Sequence, residues 1–195
     1  MKKTLLFLLI VSLIFAFAGC GGDNGTGDEN GEGNGTTNEN GQEEEQNDAE
    51  TTASIVDEEG DFKNAISSQG TWIICTLKDL SFEEDLTLDG NFTNGKKDEQ
   101  GKDIVQRKIA LYSQDEDRNV TARFTLKAPK LTINSPMASI QHGTFVGDLY
   151  VMQDNFKLVD MKVDGNVYFA TESAKSTFTM DETSTISGVQ EVKAQ

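Results

Sequence analysis

Two heptapeptides 18 residues apart carry the same pattern: TFVGDLY at 144–150 and KVDGNVY at 162–168. Each has a central glycine, an apolar residue two positions before and two positions after it, an Asp or Asn directly after it, and a final tyrosine. Looser copies lie at 86–92 and 185–189. Alternation of apolar and polar residues is typical of strands that bury one face. The pattern therefore predicts short strands that recur along the chain.

The recurrence predicts that these strands stack as rungs. Gly147 and Gly165 are 18 residues apart, and Gly165 and Gly188 are 23 residues apart. Further short β-rich runs accompany the copies: 131–133, 156–158 and 178–180. A rung of about 20 residues has an apolar inner face that it cannot bury alone, and stacking at about 4.8 Å buries it. The roughly 135 residues after position 60 would form six or seven rungs.

Alternation within the heptapeptides predicts which side chains enter the core. The inward residues are expected to be Phe145, Leu149 and Val151, stacked over Val163, Val167 and Phe169. The outward phase then places Asp148 on Asn166 and Tyr150 on Tyr168, with Asn91 one rung further away. Aromatic rings beside carboxylate and amide groups suit the binding of sugar rings. We take Asp148, Asn166, Tyr150 and Tyr168 as candidate ligand-binding residues; the alternative is a cross-rung ladder that only stabilises the sheet.

One amphipathic helix is predicted at 59–68. Phe62, Ala65 and Ile66 recur at helical spacing after an acidic first turn, and Gly70 follows. No second helix has a convincing pattern. The helix is placed to cap the first rung, whose open edge and apolar interior would otherwise invite association.

A capping helix followed by uneven short rungs resembles a small right-handed parallel β-helix of the pectate-lyase type, and is similar in scale to the bactofilin β-helices. The resemblance covers residues 60–195. The expected fold class is therefore all-β: a short right-handed parallel β-helix, or solenoid, with an N-terminal capping helix. The alternative is an antiparallel β-sandwich, because segments 104–113 and 120–128 could pair as a hairpin across 115–117.

The resemblance also implies candidate chemistry. Pectate lyases use carboxylates to hold calcium at the substrate and an Arg or Lys as base. Residues of these types here are Arg107, Arg123, Lys127, Asp148 and Asp164. No local motif joins them and the long loops that build a lyase cleft are missing. A polysaccharide lyase is therefore the alternative function, with no cofactor expected unless calcium binds.

Three other features favour structural roles. His142 is the only histidine and lacks a neighbouring metal ligand, so it is interpreted as a turn residue. Cys75 lies in an apolar run and is interpreted as a small buried residue. The acidic residues at 115–117 lack the spacing of a calcium loop and are interpreted as a solvated hairpin tip.

The N-terminus has the pattern of an export signal. Two lysines precede an apolar run from Leu5 to Phe17, which is short for a membrane span, and small residues lead to Cys20. The ending at 17–20 resembles the lipobox of bacterial lipoproteins. In that family the cysteine is diacylated and becomes the mature N-terminus, so the resemblance implies lipidation of Cys20 and anchoring to membrane lipid. Two acyl chains anchor a protein durably.

Charge is concentrated in the segment that follows. Residues 21–60 hold 13 acidic and no basic residues, whereas residues 61–195 hold 20 acidic and 15 basic ones. Such a Gly-, Asn- and Glu-rich segment predicts a disordered spacer. The acidic balance argues against nucleic-acid binding, which needs clustered Lys and Arg.

The predicted organisation is a signal peptide at 1–19, a lipidated, disordered linker at 20–56, and a β-helix domain at 57–195. The expected function is a cell-surface lipoprotein on the extracytoplasmic face of the cell membrane. It would bind or scaffold envelope or extracellular polysaccharide as a non-catalytic monomer. End-to-end association into a structural β-helix stays open.

Overall fold

The structure is a computed structural model that describes residues 53–193. Short strands dominate these residues, as the period-two runs predict, so the all-β prediction is confirmed. The strands are β1 (Ser54–Val56), β2 (Ile73–Thr76), β3 (Leu80–Ser81), β4 (Leu86–Leu88), β5 (Thr93–Lys97), β6 (Asp103–Val105), β7 (Arg107–Ala110), β8 (Tyr112–Gln114), β9 (Val120–Arg123), β10 (Thr125–Ile133), β11 (Ala138–Gln141), β12 (Thr144–Val151), β13 (Lys157–Val159), β14 (Lys162–Asp164), β15 (Val167–Phe169), β16 (Thr179–Met180), β17 (Thr185–Ile186) and β18 (Gln190–Val192). The helices are α1 (Glu59–Ile66) and α2 (Glu172–Thr177).

Most strands belong to two sheets in which every pair is parallel. Sheet A has the order β1-β2-β7-β11-β13-β16. In sheet B, β10 and β12 are central, with β3 and β4 on one side and β14, β15, β17 and β18 on the other. Parallel pairing throughout both sheets contradicts the antiparallel sandwich that the sequence left as an alternative.

The chain passes alternately through the two sheets and forms five levels. We define the levels as β2–β4, β7 with β10, β11 with β12, β13–β15, and β16–β18, each hydrogen-bonded in register to the next. Strand β1 precedes the first level and lies upstream of residue 57, where the folded body was expected to begin. Five levels are fewer than the six or seven rungs expected, because two hairpins take residues out of the sheets.

Both hairpins are antiparallel excursions. One joins β5 to β6, and the other joins β8 to β9. The second one overlaps the hairpin predicted from sequence, with the turn at 115–117, but only its inner parts pair. The flanking residues instead form β7 in sheet A and β10 in sheet B.

Inward side chains of both sheets form one apolar cluster. The predicted stacking is confirmed: Phe145 pairs with Val163, Leu149 with Val167, and Val151 with Phe169, each at most 1% exposed. In sheet A, Ile74, Ile109 and Ile140 stack in the same way and are fully buried.

Tight turns between the sheets repeat one backbone conformation. His142 and Asp160 lie where the chain leaves sheet A, with φ of 61° and 50°. Met137 and Asn155 lie where it enters sheet A, with φ of 51° and 63°. The members of each pair are 18 residues apart, so levels 3 and 4 share the same turn geometry.

Helix α1 covers the first level, as predicted, and ends two residues earlier than expected. Its buried residues are Phe62, Ala65 and Ile66, and the Phe62 ring centroid lies 5.6 Å from that of Phe82. The helix ends because the backbone N–H and hydroxyl of Ser67 both donate to the Asn64 carbonyl.

Helix α2 was not predicted. The hydroxyl of Thr171 accepts a hydrogen bond from the Ala174 N–H and so caps the first turn. Ala174 is its one buried residue, which leaves no apolar periodicity for a sequence pattern to detect.

Candidate functional site

The two tyrosines of the repeat lie side by side on the outer surface of sheet B. Tyr150 in β12 pairs in register with Tyr168 in β15, and both side chains are half-buried. Their ring centroids are 4.9 Å apart, with the ring planes inclined by 46°. We call this pair the tyrosine strip. Its geometry follows from the parallel register that the 18-residue spacing predicts.

The strip spans two levels. In the same column, Thr132 pairs with Tyr150 on level 2, and Glu191 pairs with Tyr168 on level 5. Two rings therefore form the whole aromatic surface of this column, with a hydroxyl at one end and a carboxylate at the other.

A column of glycines sets the bend beside the strip. Gly147 has a φ of 135°, which side-chain-bearing residues rarely adopt. A Cβ atom on Gly147 would collide with the Ala128 carbonyl oxygen, and one on Gly165 would collide with the Gly147 carbonyl oxygen. The glycines let successive backbones approach closely, which brings the residues after them into contact.

Asp148 and Asn166 are directly bonded, as their predicted stacking implies. Oδ1 of Asp148 accepts hydrogen bonds from the backbone N–H and the side-chain amide of Asn166, both at 2.9 Å. Oδ1 of Asn166 in turn accepts from the Val189 N–H at 3.0 Å. This ladder holds levels 3 to 5 in register. It leaves Oδ2 of Asp148 without a hydrogen-bond partner among the described residues.

A lysine flanks each ring of the strip. Nζ of Lys130 lies 5.5 Å from the Tyr150 ring centroid and 2.9 Å from Oδ2 of Asp85. The hydrogen bond to Asp85 raises the pKa of Lys130 and keeps it charged. Nζ of Lys193 lies 4.6 Å from the Tyr168 ring centroid. The surface around the strip thus offers aromatic area, two ammonium groups and one carboxylate oxygen.

Asn91 does not belong to this surface, which corrects the sequence prediction. Leu88 pairs with Ile133, which pairs with Val151 rather than with Phe145. The segment 86–92 is therefore shifted against the later copies, and Asn91 follows the end of β4.

The lyase candidates do not converge. Arg107 is completely buried and bonds to backbone carbonyls. Arg123 bonds to Asp160 at a turn. Lys127 and Asp164 lie in one outward column of sheet B with Val146 between them. No two of these groups meet at a common substrate position.

An ionic cluster that sequence reasoning missed lies where level 3 leaves sheet A. Nδ1 of His142 is 3.0 Å from Oδ2 of Asp160, and the Arg123 guanidinium is 2.5 Å from the same oxygen. The hydrogen bond with His142, aided by Arg123, lowers the pKa of Asp160. The His142 ring also packs edge-on against Tyr112, with centroids 4.5 Å apart. The shared 18-residue spacing of His142 and Asp160 was the available signal. The cluster fastens the β8–β9 hairpin to the turn.

No family model, curated protein or solved structure matches this chain.

The remaining candidates have structural surroundings. Cys75 is half-buried, and burial raises the pKa of its thiol. Asp115 accepts hydrogen bonds from the backbone and side chain of Asn119, which order the hairpin tip and lower the Asp115 pKa. Within residues 53–193, no three His, Cys, Asp or Glu side chains are grouped as metal ligands. In the same residues, neither helix has the length and apolar character to cross a bilayer.

Proposed function

We propose that this chain is a bacterial surface lipoprotein whose β body binds polysaccharide through the tyrosine strip without catalysing a reaction. The observation that carries the binding proposal is the stacked pair Tyr150 and Tyr168, exposed on an outer surface while the residues between them and the core are already filled by leucine and valine. Half-exposed rings do not serve the core, and adjacent rings with polar neighbours suit a sugar chain.

We propose a short right-handed parallel β-helix as the finer fold. Its support is the alternation of the chain between two parallel sheets over five registered levels. Crossover connections between parallel strands are right-handed in about 98% of cases, which favours that hand. Helix α1 acts as the cap of the first level.

Anchoring rests on the sequence, because Cys20 and the linker at 20–56 lie outside the described residues. The lipobox-like ending supports diacylation of Cys20 and attachment to the extracytoplasmic face of the cell membrane. Cys20→Ala should release the protein from the membrane fraction or block processing of the signal at 1–19. Membrane retention with normal processing, measured by fractionation and intact mass, would overturn the lipoprotein proposal.

The non-catalytic part of the proposal rests on geometry. The basic and acidic lyase candidates are spread over a buried site, a turn and an outward column, so none is within reach of a partner for proton transfer. Only Asp148 adjoins the strip, and Oδ1 of that carboxylate is already bonded to Asn166.

The test is a glycan-array screen with and without calcium, followed by calorimetry on the strongest glycan. The double variant Tyr150→Ser and Tyr168→Ser should bind at least tenfold more weakly, since each lost stacking contact is worth roughly 1 kcal/mol. The double Phe variant keeps both rings and should retain binding. Unchanged affinity in the Ser variant, at an unchanged melting temperature, would move the site elsewhere.

Self-association of the last level is a second candidate function. Strands β16, β17 and β18 each pair on one side only within the described residues. Met180 and Val189 near this edge are 37% and 50% exposed. Such an edge can pair with another chain. Sedimentation velocity that shows concentration-dependent dimers, abolished by Met180→Lys, would support this function over a monomeric binder.

A further inference from the structure

A second cleft lies on the outer surface of sheet A, on a different sheet from the tyrosine strip. Its volume is about 260–320 Å³ in scale with a single sugar ring, and the cleft itself measures about 320 Å³. Ser139 and Gln141, which point outward on either side of the buried Ile140, form its floor. Strand β6 and Gln106 form one wall. The opposite wall belongs to the turns that enter sheet A.

The lining has unused hydrogen-bonding groups. Oε1 of Gln106 accepts from Nδ2 of Asn94 at 2.7 Å, which leaves the Gln106 amide N–H groups without a partner among the described residues. Nε2 of Gln141 donates to the Ser139 hydroxyl at 3.1 Å, which leaves Oε1 of Gln141 open. The Asn155 side chain bonds to no described residue, since only its backbone N–H is engaged. Amides with both donors and acceptors free suit a ligand rich in hydroxyl groups.

The charge of the cleft is opposite to that of the chain. Lys157 is the one charged residue in its lining, and it forms no ion pair with a described residue. Ser139 pairs in register with Lys108 on one side and Lys157 on the other, so two lysines flank the floor. On a chain with a formal net charge of −16, this column carries no carboxylate. An anionic ligand is therefore favoured here.

Met137 lines the cleft in an unusual way. Its backbone has a φ of 51°, a conformation that glycine or asparagine adopts more readily, and its side chain is 40% exposed. The equivalent turn position one level later holds Asn155, as the backbone favours. Methionine at this turn helps neither the backbone nor the core, whereas an exposed apolar wall does serve a ligand.

We propose that this cleft binds an acidic sugar, a hydroxylated ring that carries one carboxylate. The carboxylate pairs with Lys157, the hydroxyl groups bond to Gln106, Gln141 and Asn155, and Met137 covers the apolar face of the ring. The site is independent of the tyrosine strip and stands whether or not the strip binds a glycan.

The test uses the full chain in detergent with ¹³C-labelled methionine methyl groups. Glucuronate should shift the Met137 methyl signal saturably and leave that of the buried Met161 in place, while an equal concentration of sodium chloride should not. Glucose, which lacks the carboxylate, should bind at least fivefold more weakly. Lys157→Gln should remove the preference for glucuronate, Lys157→Arg should keep it, and the exposed Lys175→Gln serves as the matched control.

Three results would overturn the proposal. One is an unshifted Met137 signal at saturating glucuronate, and another is an unchanged preference in Lys157→Gln. The third is loss of the Met137 shift in the double variant Tyr150→Ser and Tyr168→Ser, which would place the ligand on the strip. A normal titration in that double variant, even if the variant no longer binds any array glycan, supports the cleft and fails only the strip.

Discussion

Glycine acts in opposite ways at two positions of this chain. At Gly165 a Cβ atom would collide with the backbone of the preceding level, because the carbonyl of Gly147 lies where the side chain would begin. At Gly60 in α1 a Cβ atom would have nothing within 4 Å. The first glycine is required by packing, and the second only lowers the helix propensity.

We expect Gly165→Ala to lower the free energy of unfolding by about 1–3 kcal/mol, as overpacking does. Gly60→Ala should raise it by up to about 1 kcal/mol, because alanine favours the helix and restricts the unfolded chain. Urea denaturation of both variants measures the two changes. A Gly165→Ala midpoint equal to that of the wild type would show that levels 3 and 4 are less closely stacked than described.

Asp181 makes stability depend on acidity. Its carboxylate accepts hydrogen bonds from the Ser184 hydroxyl at 2.6 Å and from the Asp160 N–H at 3.0 Å. These bonds, the one from Ser184 above all, lower the pKa of Asp181 from 3.8 to about 2. Because the folded-state pKa is below the unfolded one, the contribution is complete above about pH 4 and is lost as the pH falls through about 2.

We therefore expect the unfolding free energy of the wild type to fall between about pH 4 and pH 2. Asp181→Asn should be less stable than the wild type at pH 6, and the difference should shrink toward pH 2. Thermal melts at half-unit pH steps measure this. A constant difference across the range would contradict the assigned role of the carboxylate.

Among elements, α1 and β7 are joined by one buried cation. The Arg107 guanidinium donates to the carbonyls of Ala65, Ser67 and Thr71, and its carbon Cζ lies 4.0 Å from the centre of the Phe92 ring. Burial lowers the pKa of Arg107 to about 10, so it stays charged at neutral pH. The side chain therefore ties the end of the cap to level 2.

Arg107→Met should cost about 2–4 kcal/mol of unfolding free energy, because it leaves buried carbonyls at the end of α1 without a donor. The exposed Arg118→Met at the tip of the β8–β9 hairpin should change it by less than about 0.5 kcal/mol. Chemical denaturation compares the two. Equal effects would mean that water replaces the guanidinium at the end of the helix.

The sequence was sufficient for some elements and insufficient for others. Register between Tyr150 and Tyr168 follows from local spacing, because parallel levels of equal length repeat every 18 residues. Arg107 shares the inward phase of Ile109, which signals burial, but its carbonyl partners lie about 40 residues earlier in α1 and no local pattern contains them. The cleft on sheet A likewise depends on where the β5–β6 hairpin folds back, which is a long-range contact.

For the whole molecule, one apolar cluster runs from Phe62 in the cap to Phe169 on level 4. A continuous core of only five levels should unfold as a unit, although longer stacks of repeats often do not. Trp72, the only tryptophan, lies directly before β2 on level 1, whereas Tyr150 and Tyr168 lie on levels 3 and 4.

We expect urea transitions followed by Trp72 fluorescence, by near-ultraviolet tyrosine dichroism and by far-ultraviolet dichroism to coincide. The control is Gly165→Ala, which should move all three midpoints together. An earlier tyrosine transition would show that the later levels separate from the capped end before the rest unfolds.

The turns at His142 and Asp160, and those at Met137 and Asn155, have one further consequence. Levels 3 and 4 are interchangeable in length and in turn geometry, so an in-frame duplication of eighteen codons would insert a level whose two faces fit their neighbours. A gene of this kind can grow or shrink by copying errors while the reading frame and the cap are preserved. The reach of the protein from its anchor is thus open to selection in steps of one strand spacing, about 4.8 Å each.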